Sequence, residues 1–185
     1  MDLTGKLLIA MPGIGDPRFE HSVIFLCSHG EEGAMGLIVN KPADGVALGD
    51  LLEQLDLGDE ISAAATLPVR FGGPVETQRG FVLHTPDYES DVSSLKVCDG
   101  FSMTATLDIL EDIAQGQGPQ DLLVLLGYAG WGPGQLESEI AMNVWLTAEA
   151  SPELVFGLAD DSKWGGALKT MGVDPRSLSA SACHA

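Results

Sequence analysis

The chain has 185 residues, 45% of them hydrophobic, with 27 acidic and nine basic side chains that give a formal net charge of −18. A chain of this length buries about 70% of its unfolded surface, so it needs no disulfide or metal ion to fold, and we expect one domain over residues 1–185. The charge argues against direct contact with nucleic acid, because such contacts depend on Lys and Arg to neutralise phosphates.

No stretch of the sequence is typical of a membrane span or a secretion signal. The longest apolar runs, residues 7–12 and 122–126, have the length of strands. The chain opens with Asp2 rather than a basic region, and it contains an odd count of three cysteines. We therefore expect a cytoplasmic protein with reduced thiols.

Strands joined by tight turns are predicted for the first part of the chain. The predicted strands are apolar runs at residues 5–11, 21–28 and 34–40. Asp16-Pro17 predicts a turn after the first run, because Pro fixes φ and disfavours helix in the residue before it. Gly30 and Gly33 place a tight turn between the second and third runs. This pattern is typical of a β-hairpin, which ends at Lys41-Pro42.

Leucine spacing predicts the first helix. Residues 48–57 carry Leu at i, i+3, i+4 and i+7, which puts four apolar side chains on one face, and Gly58 is suited to cap the end. Further helices are predicted from Thr104 or Thr106 to Gln115, from Pro133 to Val144 and from Lys163 to Met171. Short strands are predicted at residues 69–72, 80–85, 92–97, 122–126, 145–148 and 154–156.

Blocks spread over nearly the whole chain resemble the YqgE/AlgH family of uncharacterised bacterial proteins. The matching blocks are residues 8–12, 16–17 with Phe19, 22–24, 26–27 with His29, 33–37, 40–42, 72–75, 79–84, 126–131, 134–137 with Asn143 and Trp145, the single residues Trp164, Ala167, Leu168 and Gly172, and 184–185. Two positions depart from the family pattern, since Ile14 stands where Met is usual and Cys183 where Gly is usual. The resemblance implies an α+β fold with a bent or bifurcated, partly barrel-like β-sheet surrounded by helices. It also carries the family's label of transcriptional regulator.

The glycine-rich stretch at residues 127–134, between a predicted strand and a predicted helix, is the sharpest local motif. Such a loop binds phosphates through free N–H groups. This one lacks the last glycine of G-x-G-x-x-G, precedes Glu137 and lies within residues 97–162, which hold no Lys or Arg. The other interpretation is a tight turn that lets aromatic rings pack or form a pocket wall. The candidate ligand- or partner-binding residues here are Gly127, Tyr128, Gly130 and Trp131.

Four of the nine basic residues fall in or beside the family blocks: Arg18, Lys41, Arg70 and Arg79. In an acidic protein such residues are partners of carboxylates, or they line a pocket for an anionic group. Lys41 leaves a predicted strand and Arg79 enters one, which is one way to bring two cations together. The candidate ligand- or partner-binding residues in these blocks are Asp16, Arg18, Asn40, Lys41 and Arg79.

Cys27 and His29 form a candidate thiol site. They stand two residues apart on a predicted strand, so we expect both side chains on one face, where an imidazole activates a thiol. A buried, inert cysteine is the alternative, because apolar residues surround Cys27. The four histidines lack zinc-site spacing and no Gly-x-Ser-x-Gly motif is present, so neither a metal site nor a serine nucleophile is predicted.

These features favour a non-enzymatic cytoplasmic binding or regulatory protein that acts through an unknown small molecule or a protein partner. The alternative is an enzyme or thiol-redox protein that uses Cys27 with His29. The family label implies a third hypothesis, a direct DNA-binding regulator, which the charge argues against. Regulation through a protein partner reconciles the label with the charge. No catalytic residue, cofactor, metal or oligomeric state is predicted.

Overall fold

The computed structural model describes residues 2–12, 14, 16–47, 50, 67–88, 94–98, 100–105, 107–115 and 117–174. Ten strands lie within these residues: β1 (Lys6–Ala10), β2 (Val23–Gly30), β3 (Gly33–Ile38), β4 (Pro42–Ala47), β5 (Pro68–Phe71), β6 (Val75–His84), β7 (Ser94–Cys98), β8 (Phe101–Thr104), β9 (Leu122–Trp131) and β10 (Trp145–Glu149). The described α-helices are α1 (Leu107–Ala114), α2 (Gln135–Ala141) and α3 (Asp160–Thr170), and a π-helical turn spans Glu153–Gly157. None of the described helices has the length and apolar character needed to span a bilayer.

The strands form one sheet that divides around β9. The order is β10-β1-β2-β3-β9-β6-β8-β7, and β5, with β4 on its outer side, also pairs with β9. β5 runs parallel to the first half of β9, whereas β3 runs antiparallel to its second half, at residues 129–131. β9 therefore changes neighbour along its length. The predicted α+β class with a bifurcated, partly barrel-like sheet is confirmed.

The glycine-rich stretch continues β9, so the turn predicted over residues 127–134 is wrong as far as Trp131. Gly127 has a φ of +77° and lies at an irregularity in the pairing of β9 with β6. β3 supplies backbone partners to the residues that follow. This long-range pairing overrides the local preference of glycine for turns, and the turn is confined to residues 132–134.

Three glycines let β9 cross the β5–β6 connection at close range. A Cβ atom at Gly72 would lie 2.3 Å from the carbonyl oxygen of Gly127, and one at Gly127 would lie 2.3 Å from the carbonyl oxygen of Gly73. No side chain fits at such distances. The Gly72 carbonyl also accepts the N–H of Ile38 at 2.8 Å, so both branches of the sheet meet at this point. We name Gly72, Gly73 and Gly127 the fork.

Side chains alternate along β1, β2 and β3, and these strands are buried on both faces. One face, named the α3 face, contains Leu7, Ile9, Val23, Phe25, Leu37, Ala167 and Leu168. The opposite α2 face contains Leu8, Ala10, Ile24, Leu26, Ile38, Trp131, Leu136 and Trp145. A third cluster joins α1 to β6 and β9 through Val82, Ile109, Ile113 and Val124. Burial on both faces explains the continuous apolar runs of the sequence.

Most of the predicted elements are confirmed within a few residues. They are the β2–β3 hairpin, the strands β1, β5, β6, β7 and β10, and the three α-helices. The strand predicted at residues 154–156 is wrong, because Pro152 precedes a π-helical turn in which the Val155 N–H donates to the Ser151 carbonyl at 3.0 Å. The helix predicted over residues 48–57, apart from Asp50, and the 184–185 block lie outside the described residues.

Candidate functional site

The candidate residues of the glycine-rich stretch lie along β9. Gly127 belongs to the fork, where its backbone contacts another backbone. Tyr128 is half-buried and packs its ring edge-on against Phe81, with centroids 6.0 Å apart. Gly130 is exposed and pairs with β3. These residues build the division of the sheet, and the strand spreads them over about 10 Å rather than gathering them in a loop.

The start of α2 is occupied by the chain itself. The N–H of Gly132 donates to the side-chain oxygen of Gln135 at 3.0 Å. Glu137 places a carboxylate in the first turn of the helix. A donor that is already bonded and a nearby negative charge both disfavour a phosphate at this position.

Trp131 belongs to an aromatic cluster that fastens α2 to the sheet. Its indole N–H and that of Trp145 both donate to Glu139 Oε1, at 3.4 and 3.0 Å. The two indoles meet edge to face with centroids 6.0 Å apart, and Phe19 meets Trp145 similarly at 5.9 Å. Both tryptophans are buried. Sequence reasoning missed Glu139, because its role depends on a contact between a helix and two strands.

His29 has both ring nitrogens bonded. Its Nδ1 accepts the N–H of Leu3 at 3.0 Å, so the neutral ring carries its proton on Nε2, which donates to Glu137 Oε1 at 2.5 Å. The Glu137 backbone N–H first, and then His29, hold the pKa of the Glu137 carboxyl below its usual value. The His29 side chain is only 1% exposed. The ring ties β2 to α2 and to the N-terminal segment, and leaves no lone pair for a substrate or metal.

Cys27 and His29 lie on opposite faces of the sheet, so the prediction that they share a face is wrong. The β2–β3 register shifts between Leu26 and Ser28, which makes Cys27 the extra residue of a β-bulge. Cys27 packs in the α3-face cluster. His29 pairs with Ala34, which packs against the α2-face cluster. The bulge has reversed the alternation on which the prediction depended.

The environment of Cys27 is that of a core residue. The residue is 2% exposed, and burial, with a smaller effect of Cys98, raises the pKa of the Cys27 thiol to about 12. Only the thiolate reacts as a nucleophile, and a pKa this high leaves roughly one molecule in 100,000 ionised at pH 7. The geometry therefore gives no support to a thiol-based reaction.

Asp16 and Arg18 pair with each other in the turn before β2. Arg18 Nη2 lies 2.8 Å from Asp16 Oδ2, and the Arg18 backbone N–H donates to Asp16 Oδ1 at 3.0 Å. The side-chain hydrogen bond from Arg18 lowers the pKa of the Asp16 carboxyl. The Arg18 side chain is 58% exposed, so it keeps surface that a partner can reach.

Asn40 and Lys41 hold the same turn from the other side. Asn40 is buried, its Oδ1 accepts the N–H of Val23 at 2.8 Å, and its Nδ2 donates to the carbonyl of His21 at 2.8 Å. Lys41 Nζ donates to the carbonyl of Glu20. A buried amide side chain needs hydrogen-bond partners for both its oxygen and its nitrogen. Asn40 has both, and these two bonds fix the start of β2.

Arg79 and Lys41 bond to different groups, and no contact between the two side chains is present among the described residues. β5 and β9 stand between the β4 end that follows Lys41 and the β6 strand that carries Arg79. Three strand spacings separate the two backbones by about 14 Å. Arg79 Nη1 is 3.5 Å from Glu76 Oε2, and its guanidinium lies 5.2 Å from the centroid of Phe81. Each cation has a partner of its own.

The first turn of α3 holds a charged network that sequence reasoning missed. Asp160 Oδ1 accepts from Arg70 Nε at 2.9 Å and from Lys163 Nζ at 3.1 Å. Lys163 Nζ also donates to the carbonyl of Val39 at 2.7 Å. Lys163 is fully buried, and burial first, then Arg70, lower the pKa of its amine, while Asp160 opposes that shift.

A partial sequence signal for this network exists. Asp160 and Lys163 stand at i and i+3, which places them on neighbouring positions of a helix. The helix was predicted to begin only at Lys163, and it begins three residues earlier. Arg70 and Val39 lie on other strands, so their part in the network depends on tertiary packing. We name these four residues the Asp160 network.

The described histidines outside β2 also have partners within the chain. His84 is buried, with Nδ1 2.7 Å from the Thr85 carbonyl and Nε2 2.8 Å from the Thr104 hydroxyl. Burial lowers the pKa of the His84 imidazole. His21 packs edge-on against Trp164 with centroids 4.5 Å apart. Within the described part of the chain, no three His, Cys, Asp or Glu side chains are grouped as metal ligands.

An open groove lies at the corner of the sheet, where β1 begins and β10 ends. It has a volume of about 420 Å³, and its lining includes Leu3, Lys6, Thr147, Glu149, Ser151 and Met171. Lys6 and Glu149 form an ion pair beside it. Sequence reasoning singled out none of these residues, because a corner forms only when distant segments meet. We name this feature the corner groove.

The sequence model of the AlgH-like family matches residues 7–176 of the chain. A UPF0301 protein of Ruegeria pomeroyi is 68% identical over 185 residues and covers 100% of both chains. A UPF0301 protein of Paracoccus denitrificans is 54% identical over 186 residues, covering 100% of this chain and 97% of that protein.

Two solved structures share the fold. The solution structure of the AlgH protein from Pseudomonas aeruginosa has a TM-score of 0.82 and 40% identity, covering 97% of this chain and 94% of that one. A crystal structure of a Corynebacterium diphtheriae protein has a TM-score of 0.73 at 20% identity, covering 91% and 86%, which is a likeness of fold alone. By its sequence and its fold, the chain belongs to the AlgH-like family.

Proposed function

We propose that this protein is a non-enzymatic, cytoplasmic binding protein that acts in regulation through a protein partner. One observation carries the proposal: within the described part of the chain, the thiol, imidazole and amine that are buried between the elements are engaged by the chain itself. Cys27 is buried, His29 has both nitrogens bonded, and Lys163 is held by Asp160 and Val39. A catalytic group must come within hydrogen-bond reach of its substrate, and these groups are turned inward.

The charge of the chain favours a protein partner over DNA. The net charge is −18, and residues 97–162 contain no Lys or Arg against eleven Asp or Glu. Such a surface repels phosphates, while it attracts basic surfaces of other proteins. In this proposal the protein would regulate transcription, as the family's label implies, by binding another regulatory protein rather than a promoter.

The test compares DNA with a reconstituted partner. Labelled duplex DNA is titrated with the purified protein at low salt, where electrostatic binding is strongest, and we expect no change in polarisation. Partners crosslinked in bacterial cells are then purified singly and titrated by calorimetry, with an expected complex that weakens as salt rises. The proposal is wrong if the protein binds DNA and the logarithm of its affinity falls linearly with the logarithm of the salt concentration. It is also wrong if none of the purified partners binds.

A small ligand is the second candidate, and the corner groove favours it. Its volume of about 420 Å³ is within the range of ligand sites. A thermal-shift screen read by tryptophan fluorescence tests it with nucleotides, sugar phosphates and organic acids. A ligand at about 100 times its Kd stabilises a protein by roughly 2.7 kcal/mol. A hit in that range moves the proposal from a protein partner to a small molecule.

A further inference from the structure

β10 is an outer strand of the sheet, and its hydrogen-bond pattern fixes which backbone groups face outward. Among the described strands it pairs with β1 alone, in a register that places Leu8 opposite Thr147. The Ala10 N–H donates to Ser22, toward β2, whereas the Met11 N–H donates to Val144 beside β10. Bonded and non-bonded pairs alternate in an antiparallel ladder. The backbone groups of alternate β10 residues, including Thr147, therefore point away from β1.

The outward groups of Thr147 and Glu149 have no partner in the described part of the chain. The hydrogen bonds of β10 to β1 use the intervening residues. Trp145 belongs to the same outward set but is 2% exposed, so the accessible edge begins at Thr147, which is half-buried, and continues to Glu149, whose side chain is 83% exposed. An edge of this kind is a template for another strand.

The corner groove continues the same edge. It follows the chain from Thr147 through Glu149 to Ser151, and Met171 at the end of α3 adds an apolar surface that is 38% exposed. A strand added to β10 would turn alternate side chains toward this groove. Proteins that recognise a peptide by strand addition use backbone hydrogen bonds for affinity and neighbouring pockets for the peptide's side chains.

The net charge of the chain defines the occupant. Lys6 and Glu149, the charged residues that line the groove, pair with each other and leave the lining without excess charge, while the chain as a whole carries −18. A second copy brings the same negative charge and is repelled, whereas a segment with Lys or Arg is attracted. We propose that the free edge of β10 and the corner groove bind an extended, basic segment of a partner protein by strand addition. This rests on the proposed function and names its binding surface.

The test uses a labelled synthetic peptide in which Lys alternates with Val and Thr. Binding is measured by fluorescence anisotropy, and the amide protons that become protected are identified by NMR hydrogen exchange. Protection is expected at Thr147 and Glu149. Two control peptides separate the contribution of charge from that of backbone hydrogen bonds. One replaces each Lys with Glu, and the other places Pro at alternate positions, which removes backbone donors. Both are expected to bind weakly.

Two variants with matched controls locate the site. Thr147→Pro removes an outward N–H from an edge strand, a position that tolerates Pro, and we expect the peptide to bind about tenfold more weakly. Thr147→Val keeps the backbone and is expected to stay within about twofold. Glu149→Lys reverses an exposed charge on the edge and sets a second cation beside Lys6, and Glu153→Lys makes the same charge change outside β10. Only the first of this pair is expected to weaken binding strongly.

The outcomes separate this inference from the proposed function. Equal peptide affinity for wild type, Thr147→Pro and Glu149→Lys would overturn the edge as the binding site, and so would protection at other amides. Concentration-dependent self-association that Thr147→Pro abolishes would replace the basic segment with a second copy. A reconstituted partner that binds Thr147→Pro as it binds wild type would leave the proposed function standing without this surface. If Thr147→Pro fails to fold, the Glu149→Lys and Glu153→Lys pair decides.

Discussion

The fork and the corner groove differ in how the backbone is used. At the fork, Gly72, Gly73 and Gly127 bring strands so close that a Cβ atom would collide with a carbonyl oxygen at 2.3 Å. At the corner groove, the outward backbone groups of Thr147 and Glu149 have no partner among the described residues and lie beside a volume of about 420 Å³. The fork lies within the family blocks, while the corner has no motif.

This difference shows which structural features the blocks that resemble the family mark in the sequence. Glycine is required where two backbones meet this closely, because every other residue adds a side chain, and the three glycines of the fork lie in the blocks that resemble the family. A strand edge binds through N–H and C=O groups, which nearly every residue supplies. A surface of that kind leaves no residue-type signal. Motif density in this protein therefore marks the division of the sheet more strongly than it marks a binding site.

The largest expected effect comes from adding a methyl group at the fork. Gly127→Ala combines a φ of +77° with a Cβ collision, so we expect at least about 3 kcal/mol of lost stability or failure to fold. Gly134→Ala is the matched control, since its φ is +75° but its Cβ would meet nothing within 4 Å. The control is expected to lose about 1 kcal/mol from backbone strain. Urea unfolding measures both, and equal losses would refute the close contact.

An intermediate effect is expected in the Asp160 network. Asp160→Asn removes the charge that faces Arg70 and the buried Lys163, so we expect a loss of about 2–3 kcal/mol. Asp161→Asn removes a carboxylate from the same first turn, where it is exposed. Because both variants lose the same interaction with the helix dipole, the control isolates the network, and its expected loss is about 0.5 kcal/mol. Similar midpoints for the two variants in urea would contradict the network.

The smallest effect is a pH dependence from Cys27. The thiol pKa is about 12 in the folded protein, above the 9.0 of a free thiol, so the folded state keeps a proton that the unfolded state releases. The resulting stability is fully present below pH 9 and is lost as pH rises toward 12. Between pH 9 and 10 wild type should lose about 1 kcal/mol more than Cys27→Ala.

Urea midpoints of both proteins across this pH range measure the difference. Cys27→Ala also leaves a small cavity, which lowers its stability at every pH and does not affect the slope. Rapid alkylation of native Cys27 at pH 8, followed by mass spectrometry of its peptide, would show an accessible thiolate and contradict the burial. Parallel pH profiles would contradict it independently.

The local elements followed from the residues to a large extent. The apolar runs of β1, β2 and β3, the Gly30–Gly33 hairpin turn and the three described α-helices appear near their predicted bounds. The bifurcated sheet came from the family resemblance, since strand propensity does not specify which strands pair. The site residues followed least well: Cys27 and His29 were placed on one face, and the β-bulge separated them.

The sequence by itself determined the strongly acidic character, the apolar strands and the described helices, because these depend on residue type and local spacing. The tertiary structure alone decided the rest. It extended β9 through a glycine-rich stretch by pairing it with β3 and joined Arg70 and Val39 to the start of α3. Among the described strands, it also placed β10 at the end of the sheet, beside the corner groove. Each of these depends on contacts between segments far apart in the chain, which local pattern does not encode.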